Sequence, residues 1–186
     1  MSFIQKFFTS TNIKFDLDKA LKDLHLILQK YPFNDQRKQI SLTHPSPVNQ
    51  SIEDGTGSLF NFEKQIWTSY NDDYKYFSEE FKETYFYEMY TSLNEKAGGR
   101  IRRIRLMNLP PKTCYSMHVD STIRYHFALK TNPNAFLVFK EGAVIHVPTD
   151  GLVYAVDTRR FHSAMNGSDT DNRIHLVFAE SEHSKP

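Results

Sequence analysis

His118 and Asp120 are separated by one residue, so on an extended run their side chains point to the same side. His162 follows more than forty residues later, and Arg173 comes after it with ten residues between. Two imidazoles and one carboxylate on one face of a ferrous ion form the facial triad of non-haem iron oxygenases, which leaves coordination positions open for substrate chemistry. A buried arginine nearby would offer a forked cation to a carboxylate. Each residue alone has a plain structural reading, since His-x-Asp is common and a lone histidine is usually a surface or satisfied residue. The combination carries the weight.

These side chains need a frame, and the chain after Gly99 supplies one. Short β-rich runs cover Ile101 to Leu109, Thr113 to His118, Ile123 to Thr131, Ala135 to Lys140, Ala143 to Pro148, Gly151 to Asp157, Phe161 to Asn166 and Arg173 to Glu180. Turn residues such as Pro110-Pro111, Glu141-Gly142 and Asp150-Gly151 separate them. Eight such runs predict a mainly β chain folded as a double-stranded β-helix, the cupin-type jelly roll. In that barrel His118 and Asp120 fall at the end of the second strand, His162 on the seventh, and Arg173 at the start of the eighth.

The earlier half reads as support. Leu17, Leu21, Leu24 and Leu28 recur at helical spacing within Asp16 to Tyr31, with an aspartate to cap the start and Pro32 to stop it. Glu79 to Lys96 is a second helix, striped by Phe81, Tyr85, Met89 and Leu93 and ended by Gly98-Gly99. Both are expected on one outer face of the barrel. Residues 1–15 are compatible with a short strand, and Gln39 to Thr43 alternates weakly as another. His44 to Gly57 reads as a loop near a site entrance, the candidate lid, with His44 a solvent-exposed loop histidine. Trp67, Tyr70, Tyr74 and Tyr76 pack over the core or rim a pocket. With no repeat and no linker, one domain spans 1–186, with helical support in 1–99 and the jelly-roll core in 100–180.

Bulk composition narrows the partners. Lys+Arg is 23 and Asp+Glu is 22, which gives no electrostatic case for nucleic acid or a membrane surface. Arg100, Arg102, Arg103 and Arg105 cluster locally and read as a solvated strand face. The single Cys114 excludes an internal disulfide and reads as an inert, partly buried thiol. No apolar run approaches membrane-spanning length, and Met1 to Phe8 does not make a convincing signal peptide, so a soluble, cytoplasmic protein is expected. Oligomeric state is not indicated.

The region from Arg100 to Glu180 resembles the 2-oxoglutarate and iron(II)-dependent dioxygenases, nearest to the aspartyl/asparaginyl β-hydroxylase and free-proline hydroxylase branch. The likeness rests on Arg105-Leu106 leading to Leu109-Pro110-Pro111, on His118-Val119-Asp120, and on Arg124-Tyr125-His126-Phe127-Ala128-Leu129 ending in Thr131-Asn132. It continues through Gly151 to Asp157, His162-Ser163-Ala164-Met165-Asn166-Gly167 and Arg173-Ile174-His175-Leu176-Val177. The resemblance implies iron(II) on His118, Asp120 and His162, 2-oxoglutarate and O2 as co-substrates, and Arg173 on the distal carboxylate of 2-oxoglutarate. Ascorbate is a stimulant to test. The implied reaction is hydroxylation of an unactivated C–H in an amino acid, or in an amino-acid side chain of a peptide or protein. The compact size leans toward a small substrate. Because Asp120 is present, halogenation is disfavoured.

Further site candidates follow from alternation. Arg124 and His126 share a face with Ala128, and Arg124 or His126 is expected to contact a carboxylate of co-substrate or substrate in a catalytic or binding role. The competing reading makes Arg124 a surface residue and His126 a hydrogen-bonded core histidine. His175 shares a face with Arg173 and either orients the co-substrate or supports its neighbours. Asn166 is expected to close a turn, while His25 and His146 read as structural. Two other functions stay open at this stage: a non-catalytic cupin-like metal-binding protein, and a zinc-dependent cupin isomerase or hydrolase.

Overall fold

The computed structural model describes residues 4–182. The chain runs β1 (Phe8–Lys14), α1 (Leu17–Lys30), β2 (Gln39–Ser41), β3 (Thr43–His44), β4 (Phe60–Asn61), β5 (Ile66–Trp67), β6 (Tyr76–Phe77) and α2 (Tyr85–Lys96). There follow β7 (Ile101–Leu109), β8 (Thr113–Cys114), β9 (Arg124–Lys130), β10 (Ala135–Phe139), β11 (Val144–Ile145), β12 (Leu152–Val156), β13 (His162–Asn166) and β14 (Arg173–Glu180). Each expected run after Gly99 contains a strand.

Those strands pass back and forth between two sheets as the chain winds, with the hairpin β10–β11 staying in one. The larger sheet has the order β1-β12-β9-β14-β7-β2, and the smaller has β11-β10-β13-β8. Every pairing in the two sheets is antiparallel. This is the jelly roll, with β1 and β2 from the first half of the chain added at the edges of the larger sheet. The amphipathic runs at 8–14 and 39–41 thus find partners in β12 and β7.

The two faces of the larger sheet differ in chemistry. Ile104, Leu106, Phe127, Leu129, Val153, Ile174, Leu176 and Phe178 point outward and bury against Ala20, Leu24 and Ile27 of α1 and Phe86, Met89 and Leu93 of α2. Burying a side chain of this size contributes about 1.5–3 kcal/mol, so this layer is the main hydrophobic anchor. The opposite parity on the same strands, Arg105, His126, Arg173 and His175, is buried and polar. A second apolar cluster, including Ala128, Tyr154, Val156, Leu137, Phe139 and Ala164, closes one part of the barrel between the sheets. The polar rows line the rest.

Caps set the helix ends. The Asp16 side chain accepts from the Lys19 amide at 3.1 Å, and the Tyr31 amide donates back to Ile27 O at 2.8 Å, with Pro32 next. The second helix starts later than expected. Residues Glu79–Phe81 form a separate 3-10 turn, and the α-helix begins after Thr84, whose backbone is extended.

Two loop expectations need correction. His44 is not a solvent-exposed loop residue: it lies on β3, is buried, and its Nδ1 sits 2.9 Å from Asp54 Oδ2. The carboxylate supplies the partner that lets an imidazole enter the core. Cys114 is exposed rather than partly buried. No helix among the described residues is long and apolar enough to cross a membrane.

At Gly151 the chain turns into β12 with φ +79°, and its carbonyl accepts the Phe15 amide at 2.8 Å. An added Cβ there would lie 2.8 Å from Phe15 O, against backbone that cannot swing aside. Gly151→Ala is therefore expected to cost about 2 kcal/mol and to lower Tm by roughly 4–8 °C. Thermal unfolding followed by circular dichroism checks this, and an unchanged Tm would remove the close approach.

Candidate active site

The two ligand histidines are joined through the backbone. His118 N donates to His162 O and His162 N donates to His118 O, both at 2.9 Å. The expected strand Thr113 to His118 does not run unbroken. Cys114 pairs with Met165, but His118 pairs with His162, so one extra residue is accommodated around Ser116 and Met117. Such a bulge re-aims side chains and is common beside active sites. Here it leaves the His118 and His162 rings 4.4 Å apart between centroids. The Asp120 amide then donates to Thr158 O at 2.9 Å, fixing the carboxylate on the same segment.

Ligand-capable atoms of His118, Asp120 and His162 all lie within 4.8 Å of one another. Asp120 Oδ1 is 4.0 Å from His118 Nε2, and Asp120 Oδ2 is 3.6 Å from His162 Nε2. The histidine tautomers follow from their partners. His118 Nδ1 lies 2.7 Å from Ser116 O and His162 Nδ1 lies 3.0 Å from Arg160 O. A carbonyl oxygen only accepts, so each Nδ1 carries the hydrogen and each Nε2 presents a lone pair. Burial pushes the His162 pKa down, more than Asp120 raises it, which favours the neutral ligand form.

The carboxylate is arranged in the same way. Arg124 Nη2 donates to Asp120 Oδ1 at 2.6 Å, while Oδ2 is buried with no partner. A buried carboxylate oxygen without a partner is costly unless a cation completes it. The residues therefore fit a divalent metal held by two imidazole nitrogens and one carboxylate oxygen.

Arg124 and His126 share the inner face, and each also meets protein groups. Arg124 clamps the metal carboxylate. His126 Nδ1 lies 3.2 Å from His175 Nδ1, and Arg173 Nη2 lies 2.9 Å from that same atom. Arginine only donates, so His175 Nδ1 is the acceptor and His126 Nδ1 carries the hydrogen that completes the contact. Burial first, then the nearby Arg173 cation, push both histidines well below their usual pKa and keep them neutral. The Nε2 atoms of both are buried and have no partner. Arg173 itself is 4% exposed, and no carboxylate of the described residues lies within ion-pair distance. Burial lowers its pKa to about 10.

Asn166 closes the β13–β14 connection as expected, donating to Leu109 O at 2.9 Å and Asp171 O at 2.7 Å. Thr158 Oγ1 donates to Thr122 O, and Ser163 Oγ to Tyr115 O, each at 2.6 Å. His25 is exposed against Gln29, and His146 Nδ1 meets Ala135 O.

A cavity of about 620 Å³ opens beside the triad. His118, Asp120 and Arg124 line it together with Arg103 and Arg105, two residues that a solvated strand face would have excluded. Both are buried, at 3% and 2% exposure. The signal was in the parity: Arg105 pairs with Val177, which on its other side pairs with His126, so Arg105 belongs to the inner row. Of the candidate lid, His44 to Gly57, Gly57 lines the cavity, and the loop is anchored by Asp54 on His44 and by Arg103 on the Gly55 and Gly57 carbonyls; the β4–β5 hairpin, with Phe60, Phe62 and Trp67, lines the cavity as well.

Asp120→Ala or His162→Ala is expected to lower manganese(II) or iron(II) affinity by at least about 100-fold while leaving the far-ultraviolet spectrum intact. Arg124→Met, which frees the outer carboxylate oxygen, is expected to cost roughly 10–100-fold. Metal titration by calorimetry checks the series, and equal affinity across it would remove the site.

The comparisons with known proteins agree with this geometry. Residues 35–181 match the family described as aspartyl/asparaginyl beta-hydroxylase. No curated protein sequence matches the chain. Among solved structures, AviO1 from Streptomyces viridochromogenes Tue57 is similar at 16% identity and TM-score 0.52, over 97% of this chain and 91% of that one. A Pseudomonas putida prolyl-4-hydroxylase is similar at 11% identity and TM-score 0.50, over 96% and 94%. These likenesses support the fold, while the sequence match spans most of the chain and includes all three metal-site residues. The chain belongs to the aspartyl/asparaginyl β-hydroxylase family, iron(II)- and 2-oxoglutarate-dependent oxygenases with the facial triad His118, Asp120 and His162.

Proposed function

We propose that the protein hydroxylates an unactivated C–H of an amino acid, free or within a peptide or protein, with 2-oxoglutarate and O2 as co-substrates and ascorbate as a supporting reductant. The observation that carries this reading is Arg173, a buried guanidinium without a carboxylate partner in the barrel that holds the triad. A buried, unpaired cation is a stability cost of several kcal/mol unless an anion joins it. The distal carboxylate of 2-oxoglutarate is such an anion, and a guanidinium fork suits it. His175, fixed by Arg173, presents its Nε2–H as a further donor, so the pair would orient the co-substrate.

Bound iron(II) supplies the redox chemistry of oxygen activation. The chain's own residues do the rest. Arg124 restrains Asp120 so that one carboxylate oxygen is free for the metal, and Ser116 O and Arg160 O hold the two ligand imidazoles in orientation. A bare metal-binding barrel, or a zinc hydrolase, has no use for the Arg173–His175–His126 arrangement. Arg173→Ala is expected to raise the 2-oxoglutarate concentration for half-saturation by roughly 10–100-fold, since charge-assisted hydrogen bonds contribute about 1.5–3 kcal/mol. Succinate formation with iron(II) and ascorbate, across a panel of free amino acids and short peptides, is the measurement. Unchanged 2-oxoglutarate dependence would remove Arg173 from the site, and oxygen-independent turnover with zinc would replace the reading.

A further inference from the structure

A second buried cation faces the cavity without an anion. Arg105 is 2% exposed; its Nη1 donates to Gln39 Oε1 at 2.9 Å, but Nε and Nη2 have no partner. Its row neighbour Arg103 differs, with Nε on Gly55 O at 2.6 Å and Nη2 on Gly57 O. Arg124 is already paired with Asp120. Among the described residues lining the cavity, Asp120 is the one acid against the three arginines Arg103, Arg105 and Arg124. The cavity is therefore short of negative charge, and the shortage is centred on a guanidinium edge with two free N–H donors.

Arg105 and Arg173 are separate sites. Arg105 lines the cavity among Arg103, Arg124 and Asp120, all of which act on its charge after burial does. Arg173 does not line that cavity: it pairs with Leu109, whereas Arg105 pairs with Val177, about 13 Å further along β14 at the rise of a strand, and Tyr115 acts on the charge of both. One distal carboxylate on the co-substrate cannot serve both.

The opposite wall is apolar. Phe60 and Trp67 pair across the β4–β5 hairpin with ring centroids 5.4 Å apart, and Phe62 joins Phe60 at 5.1 Å. Phe62, Trp67, Met117, Val119 and Phe161 line the cavity yet stay exposed at 68%, 46%, 44%, 44% and 50%. Exposed apolar surface continuous with a pocket marks a ligand-binding wall.

Resting on the co-substrate reading above, we propose that the substrate is an amphiphilic anion: its carboxylate binds the free edge of Arg105, and its apolar body lies along the Phe60–Trp67 hairpin and the Met117–Val119 segment. A bidentate carboxylate would satisfy Nε and Nη2 together, the fork geometry that arginine offers and lysine does not. The cavity volume suits a ligand of drug size rather than a small polar amino acid alone. This revises the leaning toward a small substrate.

The test compares 4-phenylbutanoate with 4-phenylbutanamide by calorimetry, on protein loaded with manganese(II) and 2-oxoglutarate. The acid is expected to bind at least about 10-fold more tightly than the amide, and Arg105→Met to abolish that preference. Arg105→Lys keeps a charge without the fork and is expected to retain only part of it. In neither variant does 2-oxoglutarate affinity change by more than about 2-fold, while Arg105→Met raises Tm by roughly 2–4 °C, because an unpaired buried charge has been removed. Equal binding of acid and amide by the wild-type protein overturns the proposal, as does a preference that survives in Arg105→Met. A fall in 2-oxoglutarate affinity with the acid preference unchanged would assign Arg105 to the co-substrate and also overturn it. A fall in Tm with loss of binding would make Arg105 structural. If manganese and 2-oxoglutarate fail to bind, the co-substrate reading fails, and the acid–amide comparison on unloaded protein still decides Arg105.

Discussion

The reciprocal backbone pair between His118 and His162 is the contact on which the site depends. Two residues far apart in sequence are made opposite neighbours by two amide–carbonyl hydrogen bonds, and their side chains must then emerge on the same face. The bulge just before His118 sets the aim of that side chain, and Thr158 O receives the Asp120 amide one step further on. Nothing in the metal site needs a flexible loop to find its place. The imidazole orientations are set by the carbonyls of Ser116 and Arg160, which belong to the segments that form and flank the pair.

That pair can exist only because the larger sheet is held from behind. The helix layer covers one face of β7, β9, β12 and β14 with aliphatic and aromatic contacts, so the strands are fixed without using their inner faces. The inner faces are then free to carry groups that a core would reject. Arg105, His126, Arg173 and His175 are all buried there, and several of their nitrogens lack partners. Each such atom is a local cost. An anion would offset that cost at the Arg105 nitrogens and at the His175 Nε2–H but not at His126 Nε2, which offers a lone pair, and the outer hydrophobic layer supplies stability that the inner row does not.

Much of this was legible in the chain. Strands Ile101–Leu109 and Arg173–Glu180 have the bounds that their composition suggests, because Arg-x-Arg and Arg-x-His alternate with aliphatics that must face the helices. The same alternation placed Arg124 and His126 on one inner face. Arg103 and Arg105 were misread because charge on a strand normally marks solvent. This strand has no solvent face: helices cover one side and the cavity lies on the other. His44 was misread because Pro45 and the glycines nearby signal a loop, whereas Asp54, ten residues on, supplies the buried partner. The hairpin over the cavity was hidden because strands of two residues carry no periodicity.

X-ray absorption of the iron(II)-loaded protein examines the central claim most directly, since imidazole rings leave a countable scattering signature around the metal. Two imidazoles and an oxygen-rich remainder are predicted for the wild-type protein, falling to one imidazole in His162→Ala. A shell without imidazole, or one unchanged by loss of His162, would contradict the account.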